Sequence, residues 1–121
     1  MRTFIAVPIP EPCRIMLDRM QKNLRAFEAD VRWVAIPSIH LTLKFLGETD
    51  PSVIPGLSDA LRRASASQGP FSLCLHGLGC FPGERSPRVI WCGVEGETEE
   101  LIRLQTTVEA VCAGFGFAPE E

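Results

Sequence analysis

The stretch Ile39-His40-Leu41-Thr42-Leu43-Lys44-Phe45 alternates apolar and polar residues without a break. That is the period of a half-buried strand, in which residues two apart share a face. In a regular strand Ile39, Leu41, Leu43 and Phe45 would enter a core. His40, Thr42 and Lys44 would then stand together on the other face, toward solvent or a cleft. An imidazole gives or takes a proton near neutral pH. A hydroxyl beside it can hold an anionic oxygen, and a lysine adds positive charge, so the trio suits a phosphate ester. H-x-T is a short pattern that often arises by chance, however, and a lone strand histidine is usually an ordinary one. The rest of the chain has to decide.

Working outward from this strand, Pro37-Ser38 turns the chain into it and Gly47 ends it. Upstream, Thr3 to Val7 reads as a short buried strand that the prolines at 8, 10 and 12 terminate. A helix follows from about Glu11 to Ala29, with Leu17, Met20, Leu24 and Phe27 at steps of three and four on one face. Val31-Arg32-Trp33-Val34 reads as a second short strand. Downstream, Asp50-Pro51 has the form of a helix start, with the acid as N-cap and proline in the first turn. Leu57, Ala60, Leu61 and Ala64 make the buried face of that helix, and Gln68-Gly69-Pro70 breaks it. Phe71 to Leu78 is a strand with an irregular, glycine-rich exit, and Arg85-Ser86-Pro87 is loop. Arg88 to Val94 is a further strand. Glu97, Glu99 and Glu100 favour the N-terminus of a last helix, whose apolar positions are Leu101, Leu104, Val108 and Val111.

At 121 residues the chain is one domain or part of one. Its 45% apolar content is enough for a core. No run of apolar residues is long enough to span a bilayer. The apolar part of Met1 to Pro8 is too short for a signal peptide, so a cytoplasmic protein is expected. Five cysteines at irregular spacing include no C-x-x-C pair, which favours buried, reduced thiols over a disulfide framework. A zinc site from Cys74, His76 and Cys80 is the weaker alternative. The net charge of −3 argues against a protein that clamps a long nucleic-acid backbone. A nucleic-acid substrate would instead be gripped at one end. The cations are mostly arginine, ten against two lysines, and arginine suits bidentate phosphate contacts.

The two long helices share a three-four-three apolar spacing, and each follows a similar strand, Arg2 to Val7 in one case and Arg88 to Gly93 in the other. The pattern points to an internal repeat with an offset of 84 to 86 residues. In the first copy the helix leads through Trp33 and a turn to His40. The equivalent position in the second copy would fall a few residues beyond Glu121.

The runs Arg2-Thr3-Phe4-Ile5-Ala6-Val7, Val31-Arg32-Trp33-Val34 and His40-Leu41-Thr42-Leu43-Lys44-Phe45-Leu46-Gly47-Glu48 resemble the 2H phosphoesterases. More narrowly they resemble the bacterial and archaeal RNA 2′,3′-cyclic phosphodiesterases, also called 2′-5′ RNA ligases. Phe81-Pro82 and Pro87-Arg88-Val89-Ile90-Trp91 resemble that family's middle segment. The resemblance implies an α+β fold: two pseudo-symmetric α/β lobes with mainly antiparallel sheets facing a central cleft. On this expectation residues 1–121 form a single bilobal domain, truncated at the C-terminus, with the second lobe incomplete. Each lobe should bring one H-x-T motif. His40 and Thr42 match the first, and the second is absent. His76, followed by Gly77-Leu78, does not match it and reads as an ordinary strand histidine.

The resemblance implies hydrolysis of RNA 2′,3′-cyclic phosphate ends to 2′-phosphomonoesters, with 2′-5′ ligation as the reverse reaction. His40 would be catalytic, as proton donor to the 3′ oxygen. Thr42 would be substrate-binding, on a phosphoryl oxygen. Lys44 and Arg88 are weaker candidates for phosphate contact. Trp33 and Trp91 could stack a base, although core positions suit both better. Neither a cofactor nor a metal is expected, and the partners are RNA ends or nucleotides carrying the cyclic phosphate, met by a monomer with no membrane attachment. Two other readings stay open: a nucleotide- or RNA-end-binding module without catalysis, because one H-x-T is absent, and an α/β domain with no phosphate chemistry.

Overall fold

The computed structural model describes residues 1–27, 32–81 and 89–119. Element order is β1 (Arg2–Pro8), α1 (Glu11–Arg25), a 3₁₀ turn (Ile36–Ser38), β2 (His40–Glu48), a 3₁₀ turn (Pro51–Val53), α2 (Ile54–Ser65), β3 (Leu73–Phe81), β4 (Val89–Gly96) and α3 (Thr98–Gly114). The described strands form two two-stranded sheets, β1–β2 and β3–β4. The fold is α+β, as expected. Chain contacts divide it into two compact units.

The first unit comprises residues 1–7, 42–72 and 97–121. Met1 lies at the far end of β2: its carbonyl accepts from the Thr49 amide (2.8 Å), and its ammonium meets Glu48 Oε2 (2.9 Å). The start of β1 thus lies against the end of β2, so the strands run antiparallel. Gly47 turns the strand end with φ 72°, a left-handed conformation that favours glycine. Asp50 then caps the turn as its sequence suggests, accepting from the Ser52 amide at 3.0 Å. α2 packs on α3. Leu43, Leu57, Val108 and Cys112 form the buried centre, with Ile5, Leu46, Leu61 and Leu104 among the partly buried residues around it. Full burial of a leucine is worth about 1.5–3 kcal/mol, so β2 is anchored here through Leu43.

Two residues of β2 depart from the alternation expected of them. Phe45, expected in the core, is 66% exposed, its ring 6.2 Å from that of Phe4. Lys44, expected on the open face, is 1% exposed. Its ammonium is 3.0 Å from both carboxylate oxygens of Glu109 on α3 and 2.9 Å from the Ala118 carbonyl. A charge so placed tolerates burial because three oxygens replace its water. On α2, Ala64 is exposed rather than part of the buried face.

The second unit comprises residues 8–41 and 73–96. α1 ends at Arg25, four residues before the expected boundary. Phe27 lies past the end in a tight turn, its amide bonded to the Leu24 carbonyl, and is 81% exposed. Residues 32–34 are not strand. Their backbone is held by a helix instead: Gln21 donates its side-chain amide to the Val34 carbonyl at 2.7 Å. The Arg25 guanidinium lies 5.6 Å from the centre of the Trp33 ring. β3 and β4 pair antiparallel, Leu73 against Gly96 through Phe81 against Val89, with an irregularity between Leu75 and Leu78. Gly77 sits in that bulge with φ 75°. Gly79 faces Trp91 so closely that the indole occupies the place of a side chain at 79. The expected loop at Arg85-Ser86-Pro87 and the strand start at Arg88 lie outside the described residues.

Candidate functional site

His40 is the first residue of β2 and is exposed. Its setting is made by the turn before it. Pro37 fixes the backbone. The Ser38 amide then bonds the Ala35 carbonyl (2.8 Å), and the Ile39 amide the Ile36 carbonyl (3.1 Å). This turn brings the Ser38 carbonyl to 3.0 Å from His40 Nδ1. A carbonyl only accepts, so Nδ1 carries the hydrogen. In that tautomer Nε2 is the ring's acceptor, and in imidazolium it is a donor. The sequence reading placed the Pro37-Ser38 turn but missed this carbonyl, because a main-chain acceptor is not written in a residue pattern.

Thr42 follows two residues later in β2 and is half-buried. It is the first residue of β2 in the first unit, immediately ahead of Leu43 and Lys44. Lys44 itself is committed to Glu109 and Ala118 and is withdrawn from phosphate contact. A largely apolar depression of about 350 Å³ in the same unit is lined by Ile5, Leu43, Leu104 and Val108, with Arg62 among its polar lining. Neither His40 nor Thr42 borders it.

Among the other candidates, Trp33 is half-buried and shares its ring with Arg25. Trp91, expected in the core, is 51% exposed. The glycine opposite it lets the indole settle on the strand pair without reaching an interior. Arg88 lies outside the described residues. His76 Nδ1 is 3.5 Å from Glu95 Oε1 and both side chains are exposed. The Cys74 thiol reaches the same carboxylate oxygen at 3.8 Å. Among the described residues no group of three or more histidine, cysteine, aspartate or glutamate side chains has the arrangement of a metal site. All five cysteines are free thiols. Burial raises the thiol pKa of Cys112 and of Cys92 above the ordinary cysteine value. The hydrogen bonds from Ser52 hold the Asp50 carboxyl below its ordinary value. No helix of the described residues is long and apolar enough to cross a membrane.

Known proteins resemble this chain in sequence and in fold. The family model described as LigT-like phosphoesterase matches residues 7–91. An RNA 2′,3′-cyclic phosphodiesterase of Methanothermobacter thermautotrophicus is 33% identical over 119 residues, covering 98% of this chain and 64% of that protein. One of Thermotoga maritima is 35% identical over 121 residues, covering 100% and 64%. A crystal structure from Thermus thermophilus superposes with a TM-score of 0.84 at 34% identity, over 95% of this chain and 61% of that one. E. coli LigT in complex with 3′-AMP gives a TM-score of 0.75 at 31% identity, over 98% and 67%. The chain therefore spans somewhat under two thirds of the length of these curated relatives. By the family model and by the fold, it belongs to the LigT-like 2H phosphoesterases.

Proposed function

We propose that this chain acts on RNA ends or nucleotides bearing a 2′,3′-cyclic phosphate, opening the ring to leave a 2′-phosphomonoester. The observation that carries the reading is the H-x-T pair itself, His40 and Thr42 two residues apart on β2, with His40 Nδ1 held by the Ser38 carbonyl at 3.0 Å. It is supported by the name that relatives such as the Thermotoga maritima protein carry, RNA 2′,3′-cyclic phosphodiesterase. The complex of E. coli LigT with 3′-AMP adds a nucleotide ligand within the family.

Water attacks phosphorus in line with the 3′ oxygen. A bond forms from the water oxygen to phosphorus as the bond to the 3′ oxygen breaks. His40, as imidazolium, passes its Nε2 proton to the departing 3′ oxygen. The water's proton goes to a base on the opposite side, a role that the family pattern gives to the histidine of a second H-x-T. Acid or base help of this kind contributes about 10²–10⁴-fold each. The Thr42 hydroxyl donates to an equatorial phosphoryl oxygen as charge builds there. The H-x-T spacing supports this pairing of roles, because residues two apart in an extended strand project the same way. The reading takes residues 1–121 as one bilobal domain, monomeric and cytoplasmic.

The test is turnover of adenosine 2′,3′-cyclic monophosphate, followed by phosphorus magnetic resonance to identify which monoester forms. His40→Ala should lower the rate at least about 100-fold. An unchanged rate would refute the assignment. Calorimetry with adenosine 2′-monophosphate belongs beside it. Tight binding without turnover in the unmutated chain would replace the enzymatic reading with an RNA-end-binding one.

A further inference from the structure

The helix α3 fastens β2 at the two residues that follow Thr42. Gln105 donates its side-chain amide to the Leu43 carbonyl at 3.3 Å. One turn later, Glu109 holds the Lys44 ammonium through both carboxylate oxygens at 3.0 Å. The Ala118 carbonyl, just beyond the helix, takes a third Lys44 hydrogen at 2.9 Å. Among the described residues β2 has one strand neighbour, β1. Strand pairing therefore constrains it from one edge, and the side chains of α3 supply constraint from elsewhere. The 1% exposure of Lys44 makes that second constraint stiff, since the ammonium has no water to fall back on.

We propose that Glu109 and Gln105 are positioning residues for Thr42, acting through Lys44 and the Leu43 carbonyl. This deepens the phosphodiesterase reading and rests on it for its functional consequence. A hydroxyl that must meet an equatorial phosphoryl oxygen has to be held to a fraction of an ångström. Misplacement of about 1 Å costs up to about 10²-fold in a reaction. Neither Glu109 nor Gln105 needs to touch the ligand for this. The buried ion pair keeps the backbone after Thr42 from sliding, and the amide bond at Leu43 keeps it from twisting.

The pair can be replaced without leaving an orphan charge, which separates position from stability. Lys44→Met with Glu109→Met fills the same space with apolar atoms, a change that is often neutral for folding. Lys44→Arg keeps the pair. Binding of adenosine 2′-monophosphate to the folded proteins, measured by calorimetry, should weaken about tenfold in the double methionine variant and less than about twofold in Lys44→Arg. Wild-type affinity in a folded double variant overturns the proposal. Should that variant fail to fold, Gln105→Met carries the same question: weaker binding with unchanged melting supports it, and equal binding overturns it. If the unmutated chain binds no nucleotide, the functional reading fails separately. Amide exchange at Thr42 and Leu43 without ligand then decides. Faster exchange confined to these positions in the double variant supports positioning, and unchanged exchange overturns it.

Discussion

Removal of the Glu109 carboxylate alone should be far more damaging than removal of the whole ion pair. In Glu109→Ala the Lys44 ammonium, 1% exposed in the parent, loses two of its three oxygen partners and keeps only the Ala118 carbonyl. Stripping one member from a buried pair costs about 3–5 kcal/mol. The Glu109 side chain is 26% exposed, so water can enter beside the ammonium and bring the cost to the bottom of that range or just under it, about 2–3 kcal/mol. For a domain of this size that is a fall in Tm of about 10 °C. Alanine is the better helix former, so helix propensity works against the loss and cannot produce it. By contrast the double methionine variant should lie within about 1 kcal/mol of the parent. Urea unfolding at constant m value is the assay. A Glu109→Ala variant within about 0.5 kcal/mol of the parent would refute the reasoning, because that is the scale of an exposed pair. Asp59 with Arg63 is such an exposed pair, 3.2 Å apart, and its loss should move the midpoint hardly at all.

Gly79→Ala puts a methyl group where the Trp91 ring lies. The indole has to move, so near-ultraviolet dichroism and tryptophan emission should both change; unaltered spectra would contradict the stacked geometry. Thiol labelling should run in order of exposure. Cys74 should react first, Cys92 slowly, and Cys112, 0% exposed with its pKa raised by burial, only on unfolding; early labelling of Cys112 would count against its place in the core. The Asp50 carboxyl is held below its ordinary pKa, so its contribution to stability is present above the unfolded value and is lost as pH falls through the lower folded one. The Tm difference between wild type and Asp50→Ala should therefore narrow below the ordinary aspartate value of about 3.9; a difference that persists undiminished at a pH of about 2 would exclude the carboxylate cap.

Local patterns carried most of the fold. The alternation through His40 to Phe45 marks β2, Asp50-Pro51 marks the capped turn that leads into α2, and Glu97 to Glu100 mark the start of α3. What local patterns could not carry were partners distant in the chain. Lys44 reads as a cation on an open face because nothing within its strand says that Glu109, 65 residues away, will cover it. Val31 to Val34 reads as strand because its residues favour extension. Yet over 32–34 the observed backbone answers to a helix side chain, Gln21, and not to a sheet. Trp91 reads as core by its size alone, and only the pairing with Gly79 reveals a shelf for it on the sheet. For the candidate site, the types and spacing of His40 and Thr42 were visible, whereas the Ser38 carbonyl that sets the imidazole tautomer was not. Main-chain acceptors leave no mark in a residue pattern.

The repeat gives the sharpest case of what spacing can and cannot say. The order of strand then long helix, visible in the sequence, recurs as β1–α1 and β4–α3. Proximity along the chain would assign each helix to the sheet of the strand before it. The contacts assign them the other way: α1 groups with β3 and β4, and α3 groups with β1 and most of β2. Apolar spacing records that a helix has a face to bury, with no information about which sheet receives it. Gln21 and Gln105 occupy corresponding positions in the two helices, 84 residues apart. Both donate to a backbone carbonyl, Gln21 to Val34 just ahead of the His40 turn and Gln105 to Leu43 just after Thr42. A glutamine at that place in each helix thus fastens main chain within its own unit, and apolar spacing alone announces neither contact.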